Sequence, residues 1–236
     1  LNFVNNFSEV SIELVDEMQS ELEKGSHGNA LAVAGELREN LRKIAHHGKS
    51  ADAVVKGMLL HSRKAPGEKM AADINALADE YLRLSYFSLR AKDKTFQATL
   101  KTDFDKSLSA DKDGNGKINV NPQEMGRAIL NLINNAFYAV REKKKLNLPG
   151  YEPTVTVGTR KKGNIVEIQV KDNGLGIPSH VLPKIYQPFF TTKPTGEGTG
   201  LGLSLSYDVV TKVHGGELNV ETREGESTAF TIRIPV

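Results

Sequence analysis

Cysteine and tryptophan are both absent from these 236 residues. Without cysteine there are no disulfides and no thiolate metal centres, which fits a reducing compartment. No run approaches the roughly 18–20 apolar residues that span a bilayer, and no signal-peptide pattern stands at the amino terminus. A strong charge of either sign is missing too. The 31 Lys and Arg against 29 Asp and Glu leave a net +2, so composition makes no case for nucleic acid or an anionic membrane as partner. What remains is an ordinary globular composition, 39% hydrophobic and 25% charged, enough for one large domain or two small ones. The sequence starts at Leu1 rather than at methionine and reads as a piece of a longer chain. Any membrane-spanning part is expected outside it, and the piece itself is expected in the cytoplasm.

The patterning changes near residue 93. Before it, Val4, Phe7, Val10, Leu14 and Met18 recur every three or four residues, as on one face of a helix. Gly25 to Asn29 interrupt the stripe. Leu37, Leu41 and Ile44, then Val55, Met58 and Leu59, define a second long helix, with a kink expected at His46-His47-Gly48. After Pro66-Gly67, Ile74, Leu77, Tyr81 and Leu82 give a third stripe. Long amphipathic helices with short connections suggest a bundle, and two of them cannot bury both faces alone, so dimerisation is the natural completion. After residue 93, strands are predicted over 95–100 and 117–120, and a helix over 123–144 with Pro122 suited to its first turn. Hairpins are predicted from 154–159 with 164–170 and from 217–220 with 229–234. A last helix runs over 201–213. The reading is α+β: a helical portion over 1–92, then a mixed domain over 93–236 with helices layered on one sheet face.

Three pieces of the second half carry chemistry. Asn131 and Asn135 are spaced i, i+4 on one helix face. Amides beside apolar neighbours must be satisfied, either by polar packing or by an ion such as Mg²⁺, which prefers oxygen ligands alongside phosphates and water. Asp172-Asn173-Gly174-Leu175-Gly176 follows an apolar strand. A plain turn explains the first residues, but the two glycines also let backbone approach a flat ligand, and the carboxylate can accept a bond from an exocyclic amine such as adenine's. Gly198-Thr199-Gly200-Leu201-Gly202-Leu203 opens a helix, where free amides and the helix dipole favour phosphate; a flexible loop is the plainer alternative. The Walker ending is absent, and Leu203 stands where a dinucleotide motif needs its third glycine.

With Tyr186-Gln187-Pro188-Phe189-Phe190-Thr191-Thr192-Lys193 between them, these segments resemble, in order and spacing, the Asn box, first glycine box, Phe box and second glycine box of sensor histidine kinases. That family lies within the ATPase group that includes gyrase, the chaperone of ninety kilodaltons and the mismatch-repair ATPases. The resemblance extends over roughly residues 93–236. It implies a Bergerat-type α/β sandwich preceded by an antiparallel helical dimerisation portion. It also implies ATP and Mg²⁺ as cofactors, with Asn135 holding magnesium and Asn131 assisting. Asp172 would read adenine in a pocket shaped by Gly174, Gly176 and Thr228. A lid over about 179–199 would be anchored by Phe189 and Phe190, with Thr192, Lys193, Gly198, Thr199, Gly200, Leu201 and Gly202 about the phosphates. Phosphoryl transfer rests on positioning and charge neutralisation. The implied partners are a second copy of the chain and a response-regulator receiver domain, which takes the phosphoryl group from histidine onto aspartate.

Two features depart from the family pattern. Arg127 stands where a Glu or Gln is common, so no general base is assigned; Arg127 meets a phosphate or forms a structural ion pair. None of His27, His46, His47, His61, His180 and His214 is followed by Asp or Glu, as the family's acceptor usually is. Residues 1–7 resemble the stretch just after that acceptor. The chain is therefore expected to bind Mg-ATP without phosphorylating itself at the usual site, with His61 the best internal candidate. Asp111 to Ile118 begins like a calcium loop, but Pro122 occupies the position that needs a bidentate Glu, and a turn is the better reading. Arg141 to Lys145 reads as a solvated basic helix end. Two alternatives stay open: a nucleotide-sensing interaction module without kinase activity, and a serine kinase or ATPase of the same group.

Overall fold

The structure, a computed structural model, describes residues 2–62, 68–110, 115–194 and 197–236. The calcium-loop-like Asp111 to Gly114 and the side chain of His61 lie outside the described residues. The chain forms two compact units: residues 1–63 with Thr191–Thr199, and Lys64–Phe190 with Gly200–Val236.

In the first unit, α1 (Asn2–Glu23) and α2 (His27–Ser62) form a helical hairpin. Gly25 makes the reversal at φ +72°, and the Ser26 N–H closes it on the Glu21 carbonyl at 2.8 Å. The Glu21 carboxylate then accepts from Lys24 and Asn29. The helix α2 runs without a break through His46-His47-Gly48. A single mid-helix glycine costs only about 1 kcal/mol, and the His47 ring stacks on Phe3 and Phe7 of α1 at 5.2 and 6.1 Å. Leu14, Ala30 and Val33 are buried between the helices, while Phe3, Ile12, Leu31 and Leu41 are all more than half exposed. Among the described residues the hairpin thus has little core of its own.

The second unit is built on a five-stranded sheet in the order β2-β4-β5-β7-β6. Its strands are β2 (Thr99–Asp103), β4 (Thr154–Lys162), β5 (Ile165–Asp172), β6 (Glu217–Arg223) and β7 (Ser227–Pro235). Only the β2–β4 pair is parallel. A small ribbon pairs β1 (Met70–Ala72) with β3 (Ile118–Val120). Alternation sets the buried face: Val155 and Val157, then Val166, Ile168 and Val170, then Phe230, Ile232 and Ile234. Against it packs α4 (Pro122–Lys144), whose Met125, Ile129, Leu132, Ile133, Phe137 and Val140 form one buried stripe. Asn121 caps α4 by accepting from the Glu124 N–H at 3.1 Å, and Pro122 sits in its first turn.

Three differences from the sequence reading have physical causes. First, α3 (Ile74–Lys92) patterns like the preceding helices, yet Ile74, Ala78 and Leu82 lie in the same core as α4. The α/β unit therefore begins well before residue 93. A buried network reinforces this: Asn75 donates to the Asp105 carbonyl and to Ser109 Oγ, and accepts from the Thr159 hydroxyl at 2.6 Å. Second, the predicted strand at 95–100 begins only at Thr99, because the Asp93 carboxylate accepts both the N–H and the hydroxyl of Thr95 and makes a turn there. Third, the last helix is α5 (Gly202–Asp208) continued by a π-helical turn, Val209–Val213. The Val209 carbonyl accepts from both the backbone N–H of His214, at 3.2 Å, and its ring Nδ1, at 2.8 Å, which widens the turn.

Placing α3 in this core has a measurable consequence. Leu82 is 1% exposed, so Leu82→Ala is expected to destabilise the α/β unit by about 2–5 kcal/mol in urea unfolding followed by the sheet signal. An unchanged midpoint would return α3 to the helical portion.

Candidate functional site

The site is organised along one ridge of α4. Asn131, Asn135, Ala139 and Lys143 are each four residues apart, so they follow a single i, i+4 row that rises about 18 Å along the axis. At one end, Asn131 Nδ2 donates to the Gly202 carbonyl at 3.1 Å and to Ser206 Oγ at 3.3 Å, which ties α4 to α5. At the other, Ala139 lies under Gly174. A Cβ on Gly174 would stand 2.6 Å from both the carbonyl carbon and the Cβ of Ala139. Lys143 Nζ donates to the Asn173 carbonyl at 3.0 Å. Half-buried Asn135 sits between the two ends.

Asp172 closes β5, opposite Val155 on one side and Thr228 on the other. It is 5% exposed, and Oδ1 accepts the Gly174 N–H at 2.8 Å. Burial pushes the carboxyl up from 3.8 to about 7; the Gly174 N–H, the Lys143 ammonium and the Thr228 N–H oppose that rise. A carboxylate so placed gains from any further donor. Its neighbour Asn173 is fully used by the protein: its side chain accepts from the Thr154 N–H and donates to the Glu152 carbonyl, both at 2.8 Å. Thr228 is buried, with its hydroxyl 3.2 Å from that of Thr222, which accepts the Ile177 N–H.

The glycines answer to the protein's own packing first. Gly176 has φ +68°, and a Cβ there would meet the Arg223 carbonyl oxygen at 2.2 Å. Gly200 at φ +69° lies equally close to the backbone of Phe189, itself at φ +67°. Leu201 is buried and precedes α5 without any side-chain capping bond, whereas Asp73 and Asn121 cap α3 and α4. The N-terminal amides of a helix in general suit an anion. Thr192, Lys193, Gly198 and Thr199 lie in Thr191–Thr199, which goes with the other compact unit. Within that segment the Lys193 N–H donates to Thr191 Oγ1 at 3.1 Å. Arg127 pairs with Glu124 at 3.1 Å, the structural alternative of the two readings.

The comparisons with known proteins fit this geometry. Residues 120–236 match the family model described as histidine kinase-, DNA gyrase B- and HSP90-like ATPase. Sensor histidine kinase ZraS of Escherichia coli K12 is 30% identical over 94% of this chain and 48% of that protein. Sensor kinase CckA of Brucella abortus is 46% identical over 31% of this chain and 8% of that protein. The solved catalytic domain of histidine kinase ThkA superposes with a TM-score of 0.56 at 25% identity, covering 72% of this chain and 96% of that one. The chain carries the ATP-binding catalytic region of a sensor histidine kinase. It spans about half the length of the ZraS relatives that it matches. Histidine kinase AdeS of Acinetobacter baumannii, with a TM-score of 0.52 at 14% identity and 95% of that chain covered, shares the fold. Among the described residues, no helix is long and apolar enough to cross a membrane.

Two residues of this kinase region have contacts that the sequence reading did not assign. Lys143 was hidden in a basic run, although its place on the Asn131–Asn135 row was available as a signal. His214 is 4% exposed, and its Nε2 accepts the Asn121 N–H at 3.1 Å while Nδ1 donates to Val209. That fixes a neutral ring, consistent with burial lowering its pKa, and fastens the end of the last helix to the start of α4.

Asp172 makes the site cost stability when empty. Its folded pKa of about 7 exceeds the unfolded 3.8, so the folded state binds the extra proton between those values. Stability is whole below pH 3.8 and falls as pH rises to 7. Asp172→Asn is therefore expected to raise the melting temperature of the nucleotide-free protein above pH 7, by on the order of 2–4 kcal/mol of stability, and to give little gain near pH 4. Equal gains at both pH values would contradict this origin.

Proposed function

We propose that this region binds Mg-ATP along the α4 ridge and transfers the γ-phosphate to a histidine, from which a response-regulator aspartate takes it. The observation that carries the reading is that one helix row joins a buried carboxylate turn at one end to the glycine-rich start of α5 at the other. Asp172 accepts the adenine amine, Gly174 and Gly176 hold its turn in place, and Thr228 lines the base. The amides from Gly200 to Gly202 receive phosphate. Thr192, Lys193, Gly198 and Thr199 belong to a lid that contributes a cation and hydroxyls.

The donor set fits magnesium. Magnesium takes most of its ligands from phosphates and water, so one or two protein oxygens suffice to hold it. Asn131 commits its amide nitrogen to α5, which leaves a carbonyl as its acceptor. Asn135 is the ligand and Asn131 the assistant. The ion would neutralise phosphate charge. The helical hairpin completes its core with a second copy, since large apolar side chains such as Ile12 and Leu31 are exposed on it. The region works in the cytoplasm, and any membrane tether belongs to other parts of the protein.

Titrating ATP with and without Mg²⁺ tests the site. Asn135→Ala is expected to weaken binding about tenfold in Mg²⁺ and to leave the Mg²⁺-free affinity unchanged; equal losses in both would remove Asn135 as the ligand. The acceptor is proposed to be none of the six histidines present, since none has an acidic neighbour following it. Incubation of this chain with γ-labelled ATP should leave no acid-labile label on it, and phosphohistidine at any of the six would overturn that reading.

A further inference from the structure

Lys143 stands out because its contacts converge on both walls of the base pocket. Besides the Asn173 carbonyl, its ammonium reaches the Glu226 carbonyl at 3.4 Å and lies 4.9 Å from the Tyr151 ring centroid. The two turns it joins are already in register: the Gly225 N–H donates to the Leu175 carbonyl at 2.6 Å. Tyr151 hydroxyl and the Thr154 N–H both meet Asn173 Oδ1. A cation–π contact and two carbonyl acceptors fix the position of an otherwise mobile lysine head.

We propose that Lys143 is a positioning residue for nucleotide binding: its ammonium clamps the Asp172–Gly176 turn to the β6–β7 turn and supplies the positive charge against which the Asp172 carboxylate is buried. The inference rests on the reading of Asp172 as the adenine acceptor. The groups around that carboxylate single Lys143 out. From α4 it is the charged group that favours ionised Asp172. From the segment before β4, Tyr151 is pushed up to about 12 by burial and by Asp172 itself, so it is neutral throughout the working range. On the β6–β7 turn, Arg223 and Glu226 pair with each other at 3.1 Å, largely exposed. Strands β4 and β7 present Val155 and Thr228, which do not titrate. An ordinary solvated lysine at a helix end would show none of these contacts.

Adenosine is the probe, because it carries no phosphate that titrates or meets the lid. Its affinity for the whole chain is measured from pH 6 to 9 for wild type, Lys143→Met, Lys143→Gln, Lys143→Arg and Asp172→Asn, with a melting curve for each. Lys143→Met and Lys143→Gln are expected to bind about tenfold more weakly at pH 7, with the pH dependence moved upward and the deficit narrowing by pH 9. Lys143→Arg should restore both affinity and profile. A loss of equal size at every pH marks a merely structural lysine, and wild-type affinity in Lys143→Gln shows that the charge is not needed; either overturns the proposal. If Lys143→Met does not fold, the Gln and Arg pair decides by the same criteria. Wild-type affinity in Asp172→Asn overturns the adenine reading itself, and so is told apart from a failure confined to Lys143.

Discussion

A carboxylate held out of water at the end of β5 is the constraint around which the α/β unit is arranged. Removing Asp172 from solvent is unfavourable, and the protein offsets only part of that cost. The Gly174 N–H bonds Oδ1, which requires the turn to lie flat on α4, and that close approach is what demands glycine over Ala139. Burying the carboxylate lowers the stability of the empty fold above neutral pH, but it reserves binding energy for a ligand that brings its own donor. Such a balance between stability and recognition is common where a site must be polar and buried at once.

The same helix that supports the turn also sets the distance to the start of α5 at Gly202. Because Asn131, Asn135, Ala139 and Lys143 share one row, the spacing of their contacts is the pitch of an α-helix and not the sum of several loop conformations. A rigid ruler of this kind is worth more to a site that works by positioning than a set of independently mobile side chains. His214 belongs to the same logic. By accepting the Asn121 N–H it joins the far end of the last helix to the start of α4, so the two helices that carry the amides and the asparagines are pinned at His214 as well as at Asn131.

How much of this was legible in the sequence depended on whether the signal was local. The motifs around Asn131, Asp172 and Gly198 declare themselves through residue type and spacing, and the β4–β5 and β6–β7 hairpins through alternation. The membership of α3 was not legible, because a helix face reads the same whether it meets another helix or a sheet; only the contacts of Ile74 and Leu82 decide. β1 has three residues, too few for a period. Lys143 was obscured by its neighbours Lys144 and Lys145, which share its chemistry but not its place on the row. The glycines were legible as special but not for the right first reason. Sequence points to ligand approach, whereas the nearest atoms are the protein's own: Ala139 at Gly174 and the Arg223 backbone at Gly176.

The two compact units differ in what would stabilise them, and the difference bears on signalling. The α/β unit closes a continuous apolar core by itself, so what remains adjustable in it is the electrostatic balance at Asp172, which a nucleotide would alter. Among its described residues the hairpin buries few apolar side chains and exposes several large ones, so under the proposed dimer its stability is tied to association. Under the proposed function, dimer geometry and nucleotide occupancy then act on separate free-energy terms. A signal that changes how the helices associate need not disturb the Asp172 turn, and a change of nucleotide need not loosen the hairpin. Coupling between the two inputs has to pass through a segment that responds to both.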